Sequence, residues 1–155
     1  MAIHRDHVRA ICVFHFLTLI NEAAAFDAAA VTLRHLKIHS MKSLHGDNSL
    51  SRVMVTCLDD QWRSGRRRHQ HGEAVAMTGE DWILPTGISL GAWMEFRRDS
   101  DPDELFALLC TRVLGVPDAD VAAGIGATEG TVRHRVARAL RRLGNVSLGG
   151  ARRGG

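Results

Sequence analysis

Apolar residues recur along this chain at steps of three and four, and few stretches alternate with period two. That spacing gathers them on single faces of helices, not strands. A first helical pattern runs from about Arg5 to Ala24. A second runs from about Asp27 to Leu44, with Val31, Leu33, Leu36, Ile38 and Met41 as its candidate core. Gly46-Asp47-Asn48 reads as a turn. Ser49 is placed to cap a third helix, in which Leu50, Val53, Met54, Cys57, Leu58 and Trp62 share a face before the cations Arg63, Arg66, Arg67 and Arg68. Over residues 72–100 several glycines break any long period, yet Trp82, Leu84, Leu90, Trp93 and Phe96 are apolar. This predicts a linker with hydrophobic anchors and one short helix around Leu90 to Arg97. The anchors are expected to hold a partner, to cover one of the two small domains or to clasp the domains together. Asp101-Pro102-Asp103 opens a last unit, whose first helix to about Leu114 carries Leu105, Leu108, Leu109 and Val113 on one side.

The segment after that helix is the most specific in the chain. Val116-Pro117 marks a boundary, since proline fits a first helical turn and has no donor to lose there. Asp118 and Asp120 follow where a helix N-terminus favours negative charge. Gly126 can take a positive φ at no steric cost, and Thr128 is a plausible cap for the next helix. In that helix Val132, Val136, Leu140 and Leu143 are predicted to form the buried stripe. The other side carries Arg133, His134, Arg135, Arg138, Arg141 and Arg142. Two helices joined by a tight glycine turn, the second cationic, are a helix-turn-helix, which places a helix in the DNA major groove. The residues expected at DNA are Thr128, Glu129, Thr131, Arg133, His134, Arg135 and Arg138, with Arg135 and Arg138 foremost.

Composition narrows the remaining choices. The chain has 155 residues, 45% of them hydrophobic, and a formal charge of +3. That is enough apolar material for packed cores, and so mild a positive balance makes the location of charge matter more than its sum. The expected fold is all-α, with two small helical domains at residues 1–71 and 101–148, a linker at 72–100 and a disordered tail at 149–155. Cys12, Cys57 and Cys110 are isolated and odd in number, which fits thiols of a reducing cytosol. No glycine-rich phosphate loop, nucleophile elbow or paired-carboxylate site stands out, so no catalytic residue, cofactor or enzymatic activity is expected. His35 and His39 stand four apart and could share a metal with His45 and Cys57. A His pair on a mostly polar face is far more often plain surface, and no metal is expected. The apolar run Ile11 to Ile20 imitates the core of a secretory leader. Asp6 and His15 interrupt that pattern, and ten residues are too few to span a bilayer. A buried first helix in a cytoplasmic protein without a membrane partner is the better reading.

With both halves laid out, the chain resembles bacterial RNA polymerase sigma factors of the small extracytoplasmic-function type. The stronger match is Asp120-Val121-Ala122, Gly126-Ala127-Thr128-Glu129-Gly130-Thr131-Val132, Arg135-Val136, Arg138-Ala139 and Leu143, which looks like the family's upstream-promoter-binding domain. Toward the N-terminus, Asp27, Thr32 and Leu33 fall where the family has its polymerase-clamp helix. Ala28-Ala29-Ala30-Val31 stands where the family carries acidic residues and glutamine. Leu50 to Arg68 is similar to the helix that touches the downstream promoter element, which adds Arg63, Arg66, Arg67 and Arg68 to the DNA-contacting set. The resemblance implies promoter DNA and the polymerase core, through its β′ clamp and β flap, as partners, and allows an anti-sigma factor as a third. It implies polymerase contacts by Asp27, Thr32 and Leu33.

A second reading is a LuxR-like helix-turn-helix regulator carrying a helical sensor or dimerisation domain. The cluster from Trp62 to Arg68 separates the two, because such a regulator has little need of a second cationic site about fifty residues upstream of the first.

Overall fold

The computed structural model describes residues 2–42, 49–68 and 89–153, with the side chains of 66–68 and 147–153 outside that description. Every element among the described residues is a helix: α1 (Arg5–Leu19), α2 (Glu22–Lys42), α3 (Leu50–Arg68), α4 (Leu90–Asp99), α5 (Pro102–Leu108), α6 (Asp118–Ile125) and α7 (Glu129–Arg153). A π-helical turn, Leu109–Val113, continues α5. The fold is all-α, as the periodicity predicts. The Gly46 turn and the linker anchors Trp82 and Leu84 lie outside the described residues.

Local chemistry sets the helix boundaries. The first helix stops at Leu19 rather than Ala24, because Ile20 adopts a left-handed conformation, φ 50°, and its N–H donates to the Phe16 carbonyl at 2.8 Å. Asn21 then starts α2, its Oδ1 accepting from the Ala24 N–H at 3.0 Å. Ser49 caps α3 through the Arg52 N–H, and Ser89 caps α4 through the Ala92 N–H, each at 3.2 Å. Asp101 caps α5 by accepting from Asp103 and Glu104, with Pro102 at the first helical position. At the other end α7 runs through Gly149 and Gly150 to Arg153, where the composition predicts a disordered tail. Elongating a formed helix adds a hydrogen bond per residue fixed, and each glycine costs only about 1 kcal/mol.

The second helix turns a different face inward from the one expected. Ala25, Ala29, Thr32, Leu36 and Ser40 are buried, whereas Ile38 and Met41 are exposed. Small side chains let α1 and α2 approach closely, and they pack along much of their length. Within this seam the Thr32 hydroxyl donates to the Ala28 carbonyl at 3.1 Å. Its oxygen therefore accepts from His15 Nε2–H at 2.7 Å, which fixes that tautomer. Burial disfavours the imidazolium and pulls the His15 pKa down to about 4.

All the helices contribute to one contiguous core. Phe14 on α1 meets Trp62 on α3 and Phe106 on α5, at ring-centroid distances of 6.1 and 5.5 Å. The Trp93 indole on α4 donates to the Leu17 carbonyl at 2.9 Å. The helical part of the expected linker, α4, lies against α7 and buries Leu90, Trp93 and Phe96. Trp93 and Phe96 thus face the protein's own core: α4 covers the C-terminal helices, and the Trp93–Leu17 hydrogen bond ties it to α1 as well, in place of the partner-holding role.

Two outcomes follow from this packing. Because the His15 ring is neutral when buried, its contribution to stability is present in full above about pH 6.5 and is lost as pH falls toward about 4. The whole effect is on the order of 3 kcal/mol. Urea midpoints should therefore decline across that window, and less steeply in His15→Gln; equal slopes would mean the ring titrates normally. The second concerns α4: a fragment 89–146 should unfold cooperatively, whereas 101–146 lacks Trp93 and Phe96, each contributing about 1.5–3 kcal/mol of burial. Matching urea midpoints for the two fragments would place α4 outside the core of this half.

Candidate nucleic-acid interface

The helix-turn-helix forms where the sequence predicts it. Asp118 and Asp120 occupy the first turn of α6, and Val121 and Ala122 are its buried face. Gly126 ends the helix at φ 69°, a conformation that strains any residue with a Cβ. Its N–H donates to the Ala122 carbonyl, and so does that of Ala127, at 2.9 Å. Thr128 starts the next helix, its Oγ1 accepting from the Thr131 N–H at 3.1 Å. The two threonine hydroxyls are 2.9 Å apart, which fixes the first turn of α7.

The buried stripe of α7 is Val132, Val136 and Ala139, with Leu143 and Val146 partly buried against the core. Leu140, expected in that stripe, is 40% exposed. The reason is geometric: at 3.6 residues per turn, a step of four followed by three keeps to one face, while two successive steps of four drift off it. Ala139 fills the place with the smaller side chain.

The cations of α7 divide into two groups. Arg135, Arg138 and Arg142 line the side toward α5. Arg138 Nε lies 2.7 Å from Glu104 Oε1, Arg142 is 3.8 Å from Glu104 Oε2, and Arg135 is 3.9 Å from Asp103. Glu104 is 7% exposed and sits in the first turn of α5, where the helix dipole also favours its charge. Arg135 and Arg138, foremost in the sequence expectation, are thus engaged within the protein. Sequence reasoning missed Glu104, because its acidic stretch reads as a helix start and its pairing spans more than thirty residues. On the opposite side Arg133 is exposed, 3.3 Å from Glu129 and 3.9 Å from Asp118. His134 and Arg141 are exposed on the outermost face, beside Gly130 and Ala137. A recognition helix presents such a face, narrow and small-sided, to a groove.

The N-terminal candidates are less uniform. Arg63 is exposed and paired with Asp59 at 2.9 Å. Arg66, Arg67 and Arg68 form the last residues of α3. Asp27 is exposed and Leu33 half-buried on α2, but Thr32 turns inward to His15 and is fully buried. The outer side of α2 instead shows Phe26, 66% exposed, with Ile38, Met41, Arg34 and Lys37. His39 Nδ1 stands 3.7 Å from Cys57 Sγ, yet no group of three potential metal ligands gathers among the described residues. Burial, helped by Asp60, pushes the Cys57 thiol up to about 11, so it stays protonated. No helix among the described residues is long and apolar enough to cross a membrane.

No family model matches this sequence, and no curated protein matches it. Its architecture is similar to that of the sigma factor RpoE from Bartonella quintana, solved in complex with the anti-sigma factor NepR. The TM-score is 0.66 at 20% identity, covering 90% of this chain and 91% of that one. The likeness of fold therefore extends over both halves of the chain and not only over the helix-turn-helix.

The division of α7 cations can be tested by stability alone. Arg138→Ala should destabilise by about 1–3 kcal/mol, since it leaves a buried carboxylate short of its donor. Glu104→Ala should remove most of that cost in a double-mutant cycle. Arg141→Ala and His134→Ala should stay within about 0.5 kcal/mol of the parent. Additive losses for Arg138 and Glu104 would mean the pair is not coupled.

Proposed function

We propose that this chain is a sigma factor that brings RNA polymerase core to specific promoters and is not itself an enzyme. The observation that carries the reading is the similarity of the fold over both halves of the chain. A regulator that shared only the helix-turn-helix would match over the C-terminal third. The exposed outer face of α7, with Arg133, His134 and Arg141, supports contact with the upstream promoter element, and the cationic end of α3 supports contact with the downstream one. Thr128, Glu129 and Thr131 sit at the start of α7, where base-reading residues of such helices lie. In this reading Arg135 and Arg138 position the recognition helix through α5, and either can add a phosphate contact from its exposed portion.

The polymerase side of the reading rests on α2. Asp27 and Leu33 reach its surface, and Phe26, Ile38 and Met41 add exposed apolar area that the fold itself does not use. Such residues, set among Arg34 and Lys37, suit a protein interface with an apolar centre and a charged rim. We assign this face to the β′ clamp. The neighbour's complex with an anti-sigma factor makes a protein of that kind a further candidate partner for this chain. A sigma factor of this type works in the cytoplasm.

The test is reconstitution. The purified chain mixed with core polymerase should co-elute with it and direct initiation from discrete sites on genomic DNA. Phe26→Asp with Met41→Asp should weaken core association at least tenfold without lowering the melting temperature. Arg141→Ala should reduce the salt slope of promoter binding by about one unit. Tight DNA binding with no core association would sink the sigma reading and leave a regulator in its place.

A further inference from the structure

The described residues leave a cleft of about 780 Å³ that the proposed function does not use. Small-molecule sites span roughly 300–1,000 Å³ and are mostly apolar, with a few placed polar groups. This cleft has that composition. Phe14 and Leu19 of α1, Val31 of α2, Trp62 of α3 and Leu105 of α5 supply apolar wall, and Arg97 of α4 joins them.

The polar groups of the wall are not alike. His15 is bound to Thr32, and the Thr18 hydroxyl donates to the His15 carbonyl at 3.1 Å. The Gln61 amide donates to His35 Nδ1 at 3.5 Å, and the Ser100 hydroxyl donates to the Phe96 carbonyl. Arg98 is exposed and stands 3.3 Å from Asp99. Arg97 differs from all of these. It is half-buried, and burial disfavours its charge with no acidic group among the described residues to offset the cost. A helix C-terminus favours a cation, but Arg98 fills that role in solvent without this cost. The Trp62 indole N–H is a second unmet donor, buried with no acceptor among the described residues. Unmet donors in the wall of a cleft are groups that a ligand's oxygens would satisfy.

We propose that this cleft is a binding site for an aromatic monocarboxylate, with the carboxylate on Arg97 and the rings against Phe14, Val31 and Trp62. A planar guanidinium matches a carboxylate with two parallel hydrogen bonds. A single negative charge suits the one cation that lacks a partner in the wall. A dianion would carry its second charge into an apolar surround, where no group offsets the cost of desolvation. Asp27, the acid among the lining residues, is exposed, so solvent screens it from an anion held at Arg97. Aromatic walls favour a ring over an alkyl chain, since rings pack edge to face or offset on one another. The site follows from the cleft alone and holds whether or not the chain is a sigma factor.

The experiment titrates the full chain by calorimetry at neutral pH with naphthoate as the probe. Naphthoate should saturate the chain and raise its melting temperature. Naphthylmethanol and naphthylmethylammonium carry the same rings without the negative charge, and each should bind at least tenfold more weakly. Arg97→Gln should weaken naphthoate about tenfold and leave naphthylmethanol unchanged. Val31→Phe fills the cleft and should weaken both. Arg9→Gln, on the exposed side of α1 away from the cleft, should bind naphthoate as the parent does. The site is refuted if naphthoate fails to saturate below about 1 mM, which would leave the cleft to the side chains of a protein partner. It is refuted equally if the alcohol or the ammonium compound binds as tightly as the acid, or if Arg9→Gln costs as much as Arg97→Gln. Should Arg97→Gln lose its helical circular dichroism, the ligand series and Val31→Phe decide.

Discussion

Close approach of helices at small side chains is the constraint on which this structure depends. Two helix axes can come only as near as the residues between them allow, and the interior is then filled at crystal-like density. Ala25, Ala29 and Thr32 set the α1–α2 seam, Gly124 the α3–α6 contact, and Ala139 the base of α7. Larger residues fill the remaining space, with Phe14, Trp62 and Phe106 joining three helices from both halves. Enlarging a seam residue would push whole helices apart, whereas trimming a residue of the aromatic cluster would leave a cavity.

The same constraint explains what the sequence made legible and what it hid. Helix number, fold class and the glycine turn at Gly126 follow from periodicity and capping chemistry, and Ser49 and Thr128 cap as read. Buried faces are legible where the core residues are large, as for Leu105, Leu108 and Leu109. They are hidden where the contact is made by small residues. Pattern reading favours Ile38, Met41 and Leu140, yet Ser40 and Ala139 are the ones turned inward. Hydrophobicity ranks side chains by what they gain from burial, and close packing ranks them by what fits. Neither ranking alone assigns the faces of α2 or α7.

Charge was harder to read than packing, for a different reason. The arginines of α3 and α7 look alike in the sequence, but each is defined by its neighbours in space. Arg138 faces a buried carboxylate contributed from more than thirty residues away, while Arg141, one turn further along, meets only its own helix at the Ala137 carbonyl. No spacing rule distinguishes them. The N-terminal capping of α5 by Asp101 creates the turn on which Glu104 is held, and Glu104 in turn holds α7. A residue chosen to start one helix thus fixes the rotation of another about its axis. That rotation decides which cations remain outside.

The consequence bears on how strongly such a helix-turn-helix can act by itself. Non-specific attraction to DNA scales with the number of phosphates neutralised, each releasing a condensed counterion. Glu104 and Asp103 already offset Arg135, Arg138 and Arg142, and Glu129 and Asp118 stand beside Arg133, so little charge is uncommitted among the described side chains of α7. On the sigma-factor reading this is a coherent arrangement. A chain with weak sites at its two ends gains usable affinity only when both are engaged at once, since the second contact is then made at the effective concentration set by the first. Weak individual sites keep the free chain off random DNA, and the polymerase supplies the framework on which the two add together. On that reading the pairing of Arg138 with Glu104 does more than stabilise α7: by withholding charge from the DNA face, it would make promoter binding depend on the rest of the assembly.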